Sequence, residues 1–204
     1  MEGFYSHHED LRGLLDSLKA GRAHLVGCSM GEVRSQTSRS GTRRGSGRSY
    51  WWGPPGAVPR KLRAPWVVGR TARGRRGGNL GRVLELEVQI WVNGPGRRPE
   101  DMDGVVRDLV GEVNFIALHN EASGLDEGLP PDLPAIDRLS EVRAPALILV
   151  GNSNQLRTLA AADLLASELP NARKVVMTGA ARLRNMERPK IFNRLLLDYQ
   201  ENVE

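Results

Sequence analysis

The residues best suited to covalent chemistry lie in the run Gly27-Cys28-Ser29-Met30-Gly31, which follows a short apolar stretch, Ala23 to Val26. A serine with glycines two positions before and two after is typical of a sharp strand-to-helix turn, where flanking side chains would collide. Such a turn exposes the serine hydroxyl, and the N–H of the next residue can face a developing oxyanion. The spacing predicts a nucleophile at Ser29 and an oxyanion donor at Met30.

The elements around this turn are those of an α/β layer. Residues 8–20 predict a helix that ends at Gly21, with one apolar face formed by Leu11, Leu14, Leu15 and Leu18. The strand 23–26 and the turn follow directly. Helix, strand and turn together predict one half of a parallel α/β sheet.

A strongly basic segment follows the turn. Of the 29 Lys and Arg residues in the chain, 13 lie in residues 33–84, together with none of the 24 Asp and Glu residues. The segment therefore carries +13 and the remaining residues −8, so the net charge of +5 is a property of this one stretch. It lacks helical or strand periodicity, and we expect no regular packed structure over 33–78 because like charges repel without burying apolar area.

Three interpretations of the basic segment stay open. Its tryptophans and Tyr50 among cationic side chains are typical of surfaces that bind single-stranded nucleic acid or anionic membranes. A disordered segment has the same composition. The abrupt loss of acids after Glu32 and the return of pattern near Leu80 also suggest that this stretch of the gene is read out of frame.

Regular patterns resume in the second half of the chain. Residues 84–92 alternate as a strand would, and 99–121 predict a helix that begins with Pro99. The predicted packing stripe of that helix contains Met102, Val105, Val106, Leu109, Val110, Val113, Ile116 and Ala117. Beyond it, strands at 146–150 and 175–177 alternate with helices, and a last helix begins at Pro189. Loops at the carboxyl ends of parallel strands carry sites, so we expect functional residues in 27–31, 151–155 and 178–188.

The composition excludes several classes of protein. One cysteine cannot form an internal disulfide, and four scattered histidines lack metal-ligand spacing, so no metal or other cofactor is expected. No apolar run has the length of a membrane span, and the N-terminus does not resemble a signal peptide. A soluble, cytoplasmic protein is the expectation.

Residues 5–31 and about 80–200 resemble the α/β-hydrolase superfamily, in its lidded group of ester, lactone and carbon–carbon bond hydrolases. The most specific parts are His-Leu-Val-Gly-Cys-Ser-Met-Gly and the ending Gly-Ala-Ala-Arg-Leu-Arg-Asn-Met-Glu-Arg-Pro. The resemblance implies a partial α/β-hydrolase fold, a mostly parallel sheet with helices on both faces and a helical lid. It also implies that 80–92 is a lid helix, against the alternating pattern.

The resemblance implies roles for three positions, one on each loop, in the chain order nucleophile, acid and histidine. Ser29 takes the nucleophile position. The acid position is Asn154, in Gly151-Asn152-Ser153-Asn154, and the histidine position is Arg182. An arginine keeps its proton and cannot act as a general base. The family reading therefore implies a small ester-like substrate but an inactive or strongly impaired site.

The match begins at the helix before the turn, so the family's earlier strands and second oxyanion loop lie outside it, and the basic segment stands where the family has a sheet strand. We expect four regions: a core part at 1–31, an irregular basic segment at 32–79, a lid-like region at 80–135 and the C-terminal core at 136–204. We also expect strands 23–26 and 146–150 to lack a partner between them. The alternative function is binding of nucleic acid or an anionic membrane through 33–84 on a hydrolase-like scaffold.

Overall fold

The computed structural model describes residues 7–20, 23–28, 49–52, 79–122 and 139–203. Within these ranges a four-stranded parallel sheet has the order β1-β2-β3-β4. Its strands are β1 (Leu25–Cys28), β2 (Ser49–Trp52), β3 (Ala146–Gly151) and β4 (Ala172–Met177). The helices are α1 (His7–Ser17), α2 (Leu80–Val88), α3 (Gly104–Ala122), α4 (Leu156–Glu168), α5 (Arg184–Glu187) and α6 (Pro189–Asn202). None of these described helices is long and apolar enough to cross a membrane.

Strand β3 is the centre of the core. All six of its residues are buried, as expected for a strand with neighbours in the sheet and helices over both faces. Ile148 and Val150 pack with Leu165 of α4 on one face. Leu147 and Leu149 pack on the other face with two aromatic residues of α6. The predicted α/β class, the strand at 146–150 and the helix beginning at Pro189 are confirmed.

Strand β2 corrects the expectation that no strand lies between the nucleophile strand and β3. Tyr50 is in register with Val26 on one side and with Leu147 on the other. Residues 49–52 belong to the basic segment, so the expected lack of regular structure over 33–78 is wrong at these four positions. Sheet pairing uses backbone groups, and tyrosine and tryptophan favour extended backbone. The rest of 33–78 lies outside the described residues.

Helix α1 and strand β1 differ in detail from their predicted bounds. The helix ends at Ser17, before Gly21, because Lys19 adopts a left-handed φ of 51°. The N–H groups of Lys19 and Ala20 donate to the carbonyls of Asp16 and Leu15 at 3.0 Å, a Schellman ending. The strand covers Leu25–Cys28, two residues later than predicted.

The predicted leucine face of α1 is only partly covered. Leu11 and Leu15 are half-buried, whereas Leu14 and Leu18 are 54% and 67% exposed. Val26 of the adjoining strand is also 48% exposed. This corner of the sheet therefore presents apolar side chains to solvent.

Residues 80–92 form helix α2 and a π-helical turn at Gln89–Asn93, as the resemblance implies and against the alternating pattern. The Asn79 side chain begins the helix by accepting a hydrogen bond from the Arg82 N–H at 2.9 Å. Val83, Glu87 and Val88 are buried, and the last two follow Val83 by four and five residues, so all three lie on one side of the helix. The burial of this segment therefore follows the period of a helix and not the strand-like alternation of its sequence.

The predicted helix 99–121 is divided. Pro99–Asp101 forms a 3₁₀ turn, and α3 begins at Gly104 because the Asp103 carboxylate accepts a hydrogen bond from the Val105 N–H at 2.9 Å. The predicted apolar stripe is wrong in part, because five of its residues are exposed: Val105, Leu109, Val113, Ile116 and Ala117. Helix α3 instead buries Asn114 and Leu118.

Polar contacts select that face of α3. The Arg107 guanidinium binds both oxygens of Glu85 at 2.7 and 2.9 Å and donates to the Asn93 side chain at 2.6 Å. The Asn114 amide donates to the buried Glu87 carboxylate at 2.9 Å. These contacts join α2 and α3 into one helical hairpin (residues 79–122), and a buried carboxylate requires such a partner.

Candidate functional site

The turn after β3 holds Asn154, which the family resemblance assigns to the acid position. Asn154 is buried, with 7% of its surface exposed, and both ends of its amide are engaged. Its Nδ2 donates to the Ala181 carbonyl at 3.2 Å, and its Oδ1 accepts from the Gln155 N–H at 3.0 Å. The side chain is thereby directed at the residue that immediately precedes Arg182.

The loop after β4 is bound to this turn along its length. The Gly179 N–H donates to the Asn152 side chain at 2.8 Å, and the Ser153 N–H donates to the Ala180 carbonyl at 3.0 Å. A Cβ atom at Gly151 would lie 2.0 Å from the Ala180 oxygen, so only glycine permits this approach. The turn that carries Asn154 and the loop that carries Arg182 therefore pack directly together.

Arg182 stands next to the residue that Asn154 binds, and its side chain is half-buried. Two positions later, Arg184 is fully buried, and its Nη1 donates to the Ala181 carbonyl at 2.9 Å. Ala181 therefore accepts bonds from both loops beside the histidine position. The sequence alone did not single out Ala181 or Arg184, because alanine carries no chemical signal and burial of an arginine is not apparent from its neighbours.

Glu187 links this loop to the helical hairpin. Its side chain is 4% exposed and pairs with Arg97 Nη2 at 2.9 Å. The same carboxylate accepts the Ala181 N–H at 2.9 and 3.1 Å. Arg97 also donates to the carbonyls of Val92 and Asn93. Glu187 is the one acidic residue among 178–190, a signal that could have identified it from sequence.

Close backbone packing supports the same junction. Gly94 has a φ of 74°, and a Cβ atom there would lie 2.4 Å from the Ser153 carbonyl oxygen. A side chain is excluded on both counts. The end of the π-helical turn therefore rests directly on the turn that carries Asn154.

Ser29 and Met30 lie outside the described residues, as does Gly31. The preceding strand is described, and it runs parallel to β2 and β3. Parallel strands direct their carboxyl ends to one edge of the sheet, which is the edge where β3 leads into the Asn154 turn. Strand β2 lies between them, so the ends of β1 and β3 are separated by about 10 Å.

The structure describes the surroundings of two histidines, His119 and His24. His119 of α3 contacts the Phe115 carbonyl at 3.0 Å through Nδ1, and its ring lies 4.1 Å from the Phe115 ring. His24 precedes β1 and lies at the opposite end of that strand, about 13 Å from its carboxyl end. Among the described residues no cluster of three or more His, Cys, Asp or Glu side chains could hold a metal ion.

Two charged groups near the loops have shifted pKa values. The Arg98 backbone N–H, followed by its guanidinium, lowers the pKa of Asp101. The stabilisation by this pair is therefore present above the ordinary pKa of aspartate and is lost as the pH falls through the lowered value. Burial at the start of α4 lowers the pKa of Arg157 by desolvation.

The sequence matches no protein-family model and no curated protein at a significant level. The structure is similar to solved structures of hydrolases. Est816, described as an N-acyl homoserine lactone degrading enzyme, aligns with a TM-score of 0.73 at 24% sequence identity. The alignment covers 98% of this chain and 76% of Est816.

Two further structures align over similar shares. An esterase from Exiguobacterium antarcticum has a TM-score of 0.73 at 15% identity, over 98% of this chain and 75% of its own. MGS-M2, an alpha/beta hydrolase enzyme from a deep-sea metagenome library of the Medee basin, has a TM-score of 0.69 at 18% identity, over 98% and 74%. The parallel sheet, its helices and this similarity agree: the chain has the α/β-hydrolase fold.

Proposed function

We propose that this chain is a catalytically impaired serine hydrolase whose substrates would be small esters or lactones. The fold supports the general class, and two of the similar structures are described as an esterase and a lactone-degrading enzyme. In the sequence, Ser29 directly follows β1, and such folds carry their nucleophile directly after a strand. The observation that carries the proposal is the arrangement of Asn154.

Asn154 cannot perform the role of an acid. A triad carboxylate accepts a hydrogen bond from the histidine and stabilises the imidazolium that forms during attack. The Asn154 amide is neutral, and its Oδ1 already accepts the Gln155 N–H while its Nδ2 donates to Ala181. The side chain therefore lacks the negative charge that this role requires.

Arg182 removes the general base. Attack by Ser29 on a carbonyl requires a group that accepts the hydroxyl proton, because a serine hydroxyl is hardly ionised near neutral pH. A guanidinium holds its proton throughout the accessible pH range. With both partners lost, the expected kcat is lower than that of an intact triad by on the order of 10⁴-fold or more.

Two measurements on the full chain test this proposal: turnover of a short-chain aryl ester and labelling by a fluorophosphonate probe. We expect neither to depend on Ser29, so wild type and Ser29→Ala should give the same low signals. Ser153→Ala is the matched control for a serine on a neighbouring loop. Stoichiometric labelling that Ser29→Ala abolishes and Ser153→Ala preserves would refute the proposal.

A second test introduces the acid and the histidine at the two positions, by Asn154→Asp and Arg182→His. Asn154→Asp alone should be destabilising by about 1–3 kcal/mol, because the new carboxylate would replace the donor facing the Ala181 carbonyl at 3.2 Å with an acceptor. The double variant Asn154→Asp with Arg182→His should remain nearly inactive, because loss of the bond to Ala181 would displace the loop that carries position 182. Recovery of ester turnover to the level of an intact hydrolase would contradict this expectation and identify the two positions as the sole defects.

The alternative function, binding of nucleic acid or an anionic membrane through 33–84, has a separate signature. Binding that neutralises phosphates weakens steeply with salt, by as much as about 10³–10⁵-fold between about 50 and 200 mM. Fluorescence anisotropy with a single-stranded oligonucleotide measures this dependence. A steep slope would favour the alternative, and a flat, weak signal would favour the impaired hydrolase.

A further inference from the structure

A small cleft lies between the helical hairpin and the loop after β4, which we name the hairpin–loop cleft. Its cavity volume is about 220 Å³. Met102 and Val106, both half-buried, contribute apolar surface from the hairpin side. Neither Asn154 nor Arg182 lines it. The volume lies below the range of about 300–1,000 Å³ that is usual for drug-sized ligands, so a small molecule is the appropriate occupant.

Three of the charged groups that line the cleft are already paired. Arg97 and Glu187 form an ion pair across it at 2.9 Å. The Asp101 carboxylate binds Arg98 through the backbone N–H at 2.8 Å and through the side chain. These groups shape the cleft, but their charges are compensated by partners within the protein.

Two lining groups of opposite charge, both exposed to solvent, form no ion pair with a described residue. The Arg188 guanidinium has no carboxylate partner among the described residues, and it lies against Gly179, where a Cβ atom would be 3.0 Å from Nη2. Asp103, on the hairpin side, accepts the Val105 N–H but pairs with no described cation. The two residues line the same cavity, one from the hairpin and one from the loop side, without forming an ion pair.

We propose that the hairpin–loop cleft binds a small α-amino acid with an aliphatic side chain. The ligand carboxylate would accept hydrogen bonds from Arg188, since a guanidinium matches the geometry of a carboxylate. The ammonium group would bind Asp103, and the aliphatic side chain would cover Met102 and Val106. One ligand would thus pair with both of these charges and connect the hairpin to the loop.

The test uses the full-length protein and three probes of similar shape: leucine, isocaproate, which lacks the ammonium group, and isoamylamine, which lacks the carboxylate. Isothermal titration calorimetry measures binding directly and needs no ester turnover, so the result is independent of Ser29 and of the proposed function. We expect leucine to bind about ten-fold more tightly than either analogue, the effect of one charged hydrogen bond.

Substitutions locate the site. Arg188→Gln and Asp103→Asn should each weaken leucine binding about ten-fold, and asparagine preserves the helix-capping role of Asp103. Arg194→Gln is the matched control, because this exposed arginine of α6 pairs with Asp198 and does not line the cleft. Absence of saturable leucine binding, equal binding of isocaproate, or binding unchanged in both cleft variants would overturn the proposal. If either variant fails to fold, the comparison of the three probes on the wild-type protein decides.

Discussion

The two outer strands of the described sheet face their surroundings in different ways. Strand β4 carries Arg173 and Lys174 on exposed positions, and Lys174 contacts Asp163 of the neighbouring helix. Strand β1 has no charged residue, and Val26 is 48% exposed. Charges on an outer strand oppose pairing with another chain, whereas an uncharged apolar strand permits it. The C-terminal region (139–203) is therefore protected at its border in a way that the α1–β1 region is not.

The C-terminal region and the α1–β1 region also differ in how far their apolar side chains are buried. The C-terminal region has packed clusters on both faces of β3. In the α1–β1 region, Leu14 and Leu18 are more than half exposed. Stability should therefore depend far more on the C-terminal region, and this difference can be measured with matched substitutions.

The largest expected difference is between two leucines. Leu149→Ala removes a side chain that is 0% exposed and should lower the free energy of unfolding by about 2–5 kcal/mol. Leu18→Ala, at a position 67% exposed, should change it by less than about 0.5 kcal/mol. Guanidinium denaturation gives both values. Equal losses would mean that α1 is as well packed as the core.

Alanine substitutions at two glycines should change the stability in opposite directions, and each change should be smaller than that of Leu149→Ala. Gly151→Ala should destabilise by about 1–3 kcal/mol, because the new Cβ would lie 2.0 Å from the Ala180 oxygen. Gly13→Ala, on α1 with nothing within 4 Å, should stabilise by about 0.5–1 kcal/mol through helix propensity. Thermal unfolding compares the two. Destabilisation by Gly13→Ala would show that α1 has a close neighbour.

The smallest expected effect concerns the end of α1. Lys19 has a φ of 51°, which costs a non-glycine residue about 1 kcal/mol. Lys19→Gly should stabilise the helix by roughly that amount, while Lys19→Ala, which keeps the Cβ atom, should be nearly neutral. Circular dichroism at increasing temperature distinguishes them. Equal behaviour of the two variants would argue against the left-handed ending.

The parts of the fold that could be predicted are those where one physical effect dominates. The run 146–150 is apolar throughout, so the sequence predicted a strand that is buried on both faces. The predicted apolar stripe of α3 was wrong in part because the hairpin buries Asn114 against Glu87 and leaves Val113 exposed. Strand β2 was missed because composition describes side chains, while parallel pairing engages the backbone.

The candidate site was predictable in part for a related reason. The loops that carry Asn154 and Arg182 could be located by their place after two strands, since strand ends carry sites in parallel sheets, whereas the roles of the two residues came from the family resemblance and stay predictions. The contacts that hold them could not be found this way. Asn154 binds a backbone carbonyl, and Glu187 binds a backbone N–H, and neither partner depends on residue type.

The carboxylate of Glu187 binds the Ala181 N–H and Arg97 at the same time. Movement of the hairpin away from the loop would break the ion pair and loosen the bond to that N–H. The rate at which the Ala181 amide proton exchanges with solvent should therefore report the opening of the hairpin. A single backbone resonance would then follow a motion of the whole 79–122 unit without any label attached to it.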